Sequence, residues 1–277
     1  MSAGVYPITD WDDAYANAAH IPDGASYPRR WAERAAAFRA RLSGARARLD
    51  LAYGAAPRNS LDLFLPDGPS HGLVVFVHGG YWKAFDKSAW SHLAEGPLAS
   101  GYAVAIPSYS LCPDARIAEI TKEIAAAIDY AATEIHGPVS LCGHSAGGHL
   151  VTRMICRASP LGERTALRIA RTISISGLHD LRPLMATKMN ESLRIDWDEA
   201  LVESPALLAP RPGQSVVAWV GADERPEFVR QSRLLEMIWR GFDARMTMTE
   251  EPGRHHFNVL DGLAEPRHAL TRALIAR

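Results

Sequence analysis

Hydrophobic and polar residues change rhythm twice along this chain. Over the first 45 residues the apolar positions recur at helical spacing. In YPRRWAERAAAFRARL, Trp31, Ala35, Phe38 and Leu42 share one face, which predicts a helical lead-in ending near Gly44. Two short alternating segments follow, at 48–53 and 60–65, separated by GAAPRN, and together they read as a hairpin. From Leu73 onward short apolar runs replace the alternation: LVVFVHG, YAVAIPS, PVSLCGHS, RTISISG, SVVAWVGAD and ARMTMTE. Amphipathic stretches between them predict helices at 88–100, 117–135, 146–157, 227–240 and 260–276. A strand that is apolar on both faces needs cover on both. The expected fold is therefore α/β, a mostly parallel central sheet with an antiparallel N-terminal hairpin and helices on both faces. Residues 1–277 read as a single domain, with 1–45 as the lead-in and the proline-rich, irregular stretch 181–212 as a small lid segment.

One junction in this pattern carries chemistry. The run Val139 to Cys142 meets the helix-like stretch from Ala146 with only Gly143-His144-Ser145 between them. A strand that passes into a helix without a loop forces the turning residue into a strained conformation. Glycines two before and two after let the backbones pass, and the serine hydroxyl is left at the tip. The bland alternative is a βα turn with Ser145 as helix N-cap. A serine becomes a nucleophile only when a base takes its proton and an acid orients that base. In a parallel sheet those groups belong at the C-terminal strand ends. SVVAWVGAD ends on Asp223, and ARMTMTE leads into a loop holding His255 and His256, so the expected catalytic set is Ser145, Asp223 and His256, with His255 the lesser candidate. Asp180, after another strand, is a spare carboxylate. After LVVFVHG, His78-Gly79-Gly80-Tyr81 offers a bend whose amides can face an oxyanion, together with the amide of Ala146.

Composition narrows the class of protein. With 30 basic and 31 acidic residues the net charge is −1, and no long run of one sign suggests nucleic acid or an anionic membrane as partner. Three cysteines without C-x-x-C spacing read as buried thiols of a reducing compartment, with no chemistry assigned. The N-terminal stretch lacks the basic start and apolar run of a signal peptide, and no stretch approaches a membrane span, so a cytoplasmic protein is expected. His144 and His149 are five apart and no H-E-x-x-H accompanies them, so neither a metal nor a cofactor is expected. The partner expected is a small-molecule substrate, and a homodimer stays open.

These motifs together resemble an α/β-hydrolase of the esterase/lipase type, and within it the chain is similar to the kynurenine formamidase (arylformamidase) group. The resemblance rests on HGGYW at 78–82, GHSAGGHL at 143–150, SGLHDLRPL at 176–184, GADERPEFVRQS at 221–232 and HHFNVLDGL at 255–263, and it covers residues 45–277. It implies Ser145 as nucleophile, Asp223 as orienting acid and His256, directly before Phe257, as base. It also implies an oxyanion hole from the amides of Gly80, Tyr81 and Ala146. The reaction implied is hydrolysis of N-formyl-L-kynurenine to L-kynurenine and formate. A general carboxylesterase acting on short-acyl aryl esters is the alternative, and a non-catalytic binding protein of the same fold a third. Apolar cover for an aryl group would come from Tyr81, Trp82, Trp197 and Phe257, of which Trp82 and Phe257 are the expected substrate-binding residues.

Overall fold

The expected hairpin is present, and it opens an eight-stranded sheet. The computed structural model describes residues 8–42 and 44–276; residues 1–7 of the expected lead-in lie outside the described residues. The strands are β1 (Ala47–Ala52), β2 (Ser60–Phe64), β3 (Leu73–Val77), β4 (Ala103–Pro107), β5 (Val139–His144), β6 (Ile169–Ile175), β7 (Gln214–Gly221) and β8 (Ala244–Glu251). Their order across the sheet is β1-β2-β4-β3-β5-β6-β7-β8. β2 runs antiparallel to both β1 and β4, and every pairing from β4 to β8 is parallel. This is the α/β-hydrolase fold.

Alternation within the strands divides the core between the two faces. Leu73, Val75 and Val77 of β3 point into one cluster, where the helices Ile117–Glu134, Ala146–Met154 and Pro226–Trp239 supply Ile124, Leu150 and Phe228. Val74 and Phe76 point into the other, against Trp31 and Phe38 of the lead-in helix Tyr27–Arg41 and Leu270 and Leu274 of the helix Ala269–Ile275. Each such side chain, taken fully out of water, contributes about 1.5–3 kcal/mol.

Two predicted helices are broken, both by proline. The stretch expected as a helix at 88–100 consists of the 3₁₀ turns Lys87–Ala89 and Ser91–Ala94 and the short helix Glu95–Ala99. Pro97 lacks an N–H and its ring would clash with the carbonyl of Leu93, so helix begins only where Pro97 falls in the first turn. The last helix likewise splits into a 3₁₀ segment, Val259–Ala264, and Ala269–Ile275, with Pro266 disfavouring helical geometry at Glu265. Residues 181–212 hold two 3₁₀ turns and the short helices Asn190–Leu193 and Trp197–Glu203. They are fastened to the sheet's helices by Glu203, which takes Arg153 at 3.0 and 3.2 Å, and by Glu199, which takes Arg116 at 2.7 Å. Among the described residues no helix is long and apolar enough to cross a membrane.

The chain reverses its direction of travel across the sheet at β3, stepping first to β4 and then back past β3 to β5. A crevice opens at such a reversal, outside the carboxyl ends of the strands. Here it lies between the loop after β3 and the turn after β5.

Candidate active site

At the end of β5 the chain turns without a loop. Ser145 sits at φ 56°, ψ −117°, and the helix Ala146–Met154 starts on the next residue. A non-glycine residue in that region costs about 1–3 kcal/mol, so the surroundings must enforce it. They do so by close packing. A Cβ on Gly147 would lie 1.9 Å from the Val77 carbonyl oxygen, and one on Gly143 would lie 2.1 Å from the Gly147 carbonyl oxygen. The Ser145 amide donates to Ile175 O at 2.8 Å, tying the turn to β6.

The loop after β8 carries His256, which is buried. Its Nδ1–H donates to Glu224 Oε2 at 2.6 Å. Glu224 is itself held: Oε1 accepts from Ser176 Oγ at 2.5 Å and from the Gly221 amide at 2.8 Å. With Nδ1 committed to the carboxylate, Nε2 is the nitrogen left for Ser145. Both side chains border the same cavity. His144 braces His256. Its Nε2–H donates to His256 O at 2.9 Å and its ring lies 4.6 Å from that of His256. Burial holds the His144 pKa well below its ordinary value, so it stays a neutral prop.

The carboxylate on His256 is thus Glu224, and the assignment to Asp223 is corrected. Asp223 is exposed; its amide donates to Arg254 O at 2.9 Å, while the Glu224 amide donates to Gly221 O at 3.3 Å. The turn that follows β7 points Asp223 outward and brings the longer side chain back beneath the loop of His256. Asp180 is occupied elsewhere, with both oxygens at 2.9 Å from Arg182. His255 lies on the outer side of the loop, with Nε2 3.2 Å from Tyr27 Oη.

The loop after β3 approaches the elbow closely: a Cβ on Gly79 would lie 2.9 Å from Ser145 Cβ. Gly80, Tyr81 and Trp82 follow at φ 109°, 49° and 54°. Among the described residues no backbone carbonyl takes the amides of Gly80, Tyr81 or Ala146. His78 anchors the start of this loop. Its ring stacks on Tyr109 at 4.4 Å and Nδ1–H donates to Gly79 O at 2.8 Å, while burial lowers its pKa to about 4.

The consecutive positive φ values part the two aromatics of this loop. Tyr81 borders the cavity, whereas Trp82 turns into the core, fully buried, edge-on to His149 at 5.1 Å. Trp82 is therefore a packing residue and not a substrate contact. Trp197 is 56% exposed and does not border the cavity. Phe257 does, together with Trp31, Phe85 and Trp90.

The cavity measures about 470 Å³. Its least expected wall is Tyr15 to Ala19 of the N-terminal segment, joined by Met189 from the stretch 181–212. Tyr81 Oη donates to Tyr15 O at 2.6 Å, and Tyr15 Oη donates to the buried Glu227 at 2.8 Å, so this wall is pinned to the site. The aromatic residues at 11, 15, 27 and 31 were a signal that the segment buries a face, though not against what.

Residues 61–208 match the model of the BD-FAE family. The chain is 28% identical over 242 residues to the kynurenine formamidase of Salmo salar, across 82% of this chain and 80% of that one. It is 27% identical over 232 residues to the kynurenine formamidase of Drosophila melanogaster, across 77% and 76%. Among solved structures it is similar to a "putative thioesterase" of Silicibacter sp. TM1040, with 50% identity, a TM-score of 0.92 and coverage of 96% and 99%. Esterase B of Lactobacillus rhamnosis shares the fold at 21% identity and a TM-score of 0.63, over 85% and 89%.

Proposed function

We propose, on the premise that this chain belongs to the BD-FAE family and is a hydrolase of α/β-hydrolase fold, that it cleaves aryl formamides by an acyl-enzyme route, with N-formyl-L-kynurenine as substrate. One observation carries the reading: similarity to kynurenine formamidases extends over about four fifths of both chains. In this mechanism Ser145 Oγ attacks the formyl carbon while His256 Nε2 takes its proton. Glu224 keeps Nδ1–H in place and stabilises the imidazolium that forms. The amides of Gly80, Tyr81 and Ala146 receive the oxyanion. His256 then returns the proton to the departing aryl amine. Water, activated by the same histidine, releases formate from the formyl-serine.

The shape of the cavity supports this division. Gly79 lies against Ser145, and the formyl group is the smallest acyl group the site could be asked to seat. The aromatic bank of Trp31, Phe85, Trp90 and Phe257 suits an aryl leaving group, and the volume lies in the range of small-ligand sites. The second reading is hydrolysis of short-acyl esters or thioesters, favoured by the name of the structure at 50% identity. Rates on N-formyl-L-kynurenine, an aryl acetate, an acetyl thioester and a long-chain ester test both. We expect the highest kcat/KM on the formamide. A tenfold or larger advantage for ester or thioester would overturn it. Intact-mass detection of one fluorophosphonate adduct, lost in Ser145→Ala, tests the nucleophile, and an unlabelled wild-type protein would leave only a binding role.

A further inference from the structure

The polar groups of the cavity bank are not used by the mechanism above. Lys83 stands at the cavity edge, three residues beyond Gly80, and is exposed. Among the described residues it forms no ion pair and is, histidines aside, the one charged side chain that borders the cavity. In the N-terminal wall, Asn17 also borders the cavity and is only 6% exposed.

The orientation of the Asn17 amide follows from its neighbour. Tyr81 gives its hydroxyl hydrogen to Tyr15 O, so its oxygen can only accept. Asn17 Nδ2 therefore faces that oxygen, at 3.4 Å, and Oδ1 is left buried with no partner. A buried acceptor without a donor is costly, and a ligand that brings a donor recovers that cost. Two carboxylates stand on this side, Glu224 and Glu227, and they add to burial in pushing the Tyr81 hydroxyl pKa upward. The Lys83 side is positive. Two polar groups of opposite preference on the border of one apolar cavity match a substrate whose tail carries both a cation and an anion.

We propose that Lys83 and Asn17 are specificity residues that hold the α-amino acid head of the leaving group, Lys83 taking the carboxylate and Asn17 Oδ1 the ammonium. This rests on the reading of the cavity as the leaving-group site. It assigns the selected class as aryl amides or esters whose leaving group bears an amino acid or carboxylate.

The experiment compares matched substrates. Wild type, Lys83→Gln and Asn17→Ala are assayed on N-formyl-L-kynurenine, its desamino analogue and formanilide, and on phenyl acetate with and without a ring carboxylate. In K83Q the ratio of kcat/KM between carboxylated and neutral partners should fall about tenfold, through KM, in whichever pair the enzyme turns over. In N17A the preference for N-formyl-L-kynurenine over the desamino analogue should fall several-fold, with thermal melting confirming the fold. Lys83→Glu should reverse the preference for carboxylated leaving groups. Because the ester pair reads Lys83 without any formamide, failure of the formamidase reading leaves this test intact. An unchanged ratio in both pairs overturns the proposal, as does an equal loss on charged and neutral substrates.

Discussion

Replacing Glu224 by glutamine should cost far more activity than replacing Asp223 by asparagine. The pair is buried and its hydrogen bond is 2.6 Å long. A hydrogen bond to a charged group is worth about 1.5–3 kcal/mol. When His256 becomes an imidazolium, its attraction to a carboxylate is worth about 4 kcal/mol at 4 Å and an effective dielectric of 20. The two overlap, so the loss is about 3–5 kcal/mol, or about 10²–10⁴ in kcat. There is a second reason for the loss. Gln Oε1 can keep the bonds from Ser176 and Gly221, but its NH₂ then faces His256 Nδ1 and moves the ring hydrogen to Nε2. That tautomer cannot accept a proton from Ser145. Glu224→Asp withdraws the carboxylate by about one C–C bond, about 1.5 Å, and should fall between the extremes. Asp223→Asn, at an exposed carboxylate, should stay within about twofold of wild type. Steady-state kcat on the best substrate, with melting curves for each variant, decides it. If D223N loses as much as E224Q in folded protein, the pairing of Glu224 with His256 is not the one that acts.

The remaining predictions concern the frame around the site. Gly147→Ala places a Cβ 1.9 Å from a backbone oxygen, so it should lower stability by more than about 3 kcal/mol in urea unfolding; a wild-type midpoint would contradict the close packing. Burial lowers the pKa of His78 to about 4 and those of His92, His149 and His179 to about 3. These groups bind protons in the unfolded chain near pH 6.5 but not in the folded one. Stability is therefore full above pH 6.5 and falls as pH drops toward 3–4, by up to about 2 kcal/mol per histidine at pH 5. The melting temperature should drop by about 10 °C or more between pH 7 and 5, and a flat profile would refute this. Burial also pushes the thiols of Cys112 and Cys156 up to about 12, and that of Cys142 higher still. Iodoacetamide at pH 8 should leave the native protein unmodified and alkylate three thiols in denaturant, as read by intact mass.

The parts of the site that the sequence disclosed are those set by strict local geometry. Ser145 was legible because a strand meeting a helix leaves few choices, and glycines at 143 and 147 are the ones such a crossing demands. His256 was legible from its place after β8. Glu224 was missed by one position because the two acids are equivalent by type, and only the hydrogen bonds of the turn decide which faces inward. Trp82 was misplaced for a related reason, since adjacent aromatics read alike until the backbone dihedrals separate them. The wall at residues 15–19 lay beyond reach: its docking joins residues more than two hundred positions apart, as in Tyr15 with Glu227. Pro97 and Pro266 were in plain view, and the helices drawn through them gave too much weight to hydrophobic spacing.

That wall has a consequence for how the molecule can change. Ser145, His256 and Glu224 depend on strand ends deep in the sheet, whereas one bank of the cavity is a short stretch laid over it from the opposite end of the chain. In the proposed reading, part of the choice of substrate is therefore written apart from the residues of the reaction. Exchanging residues 16–19 among proteins of this fold, with Tyr15 kept for its bonds to Tyr81 and Glu227, is a route to new selectivity.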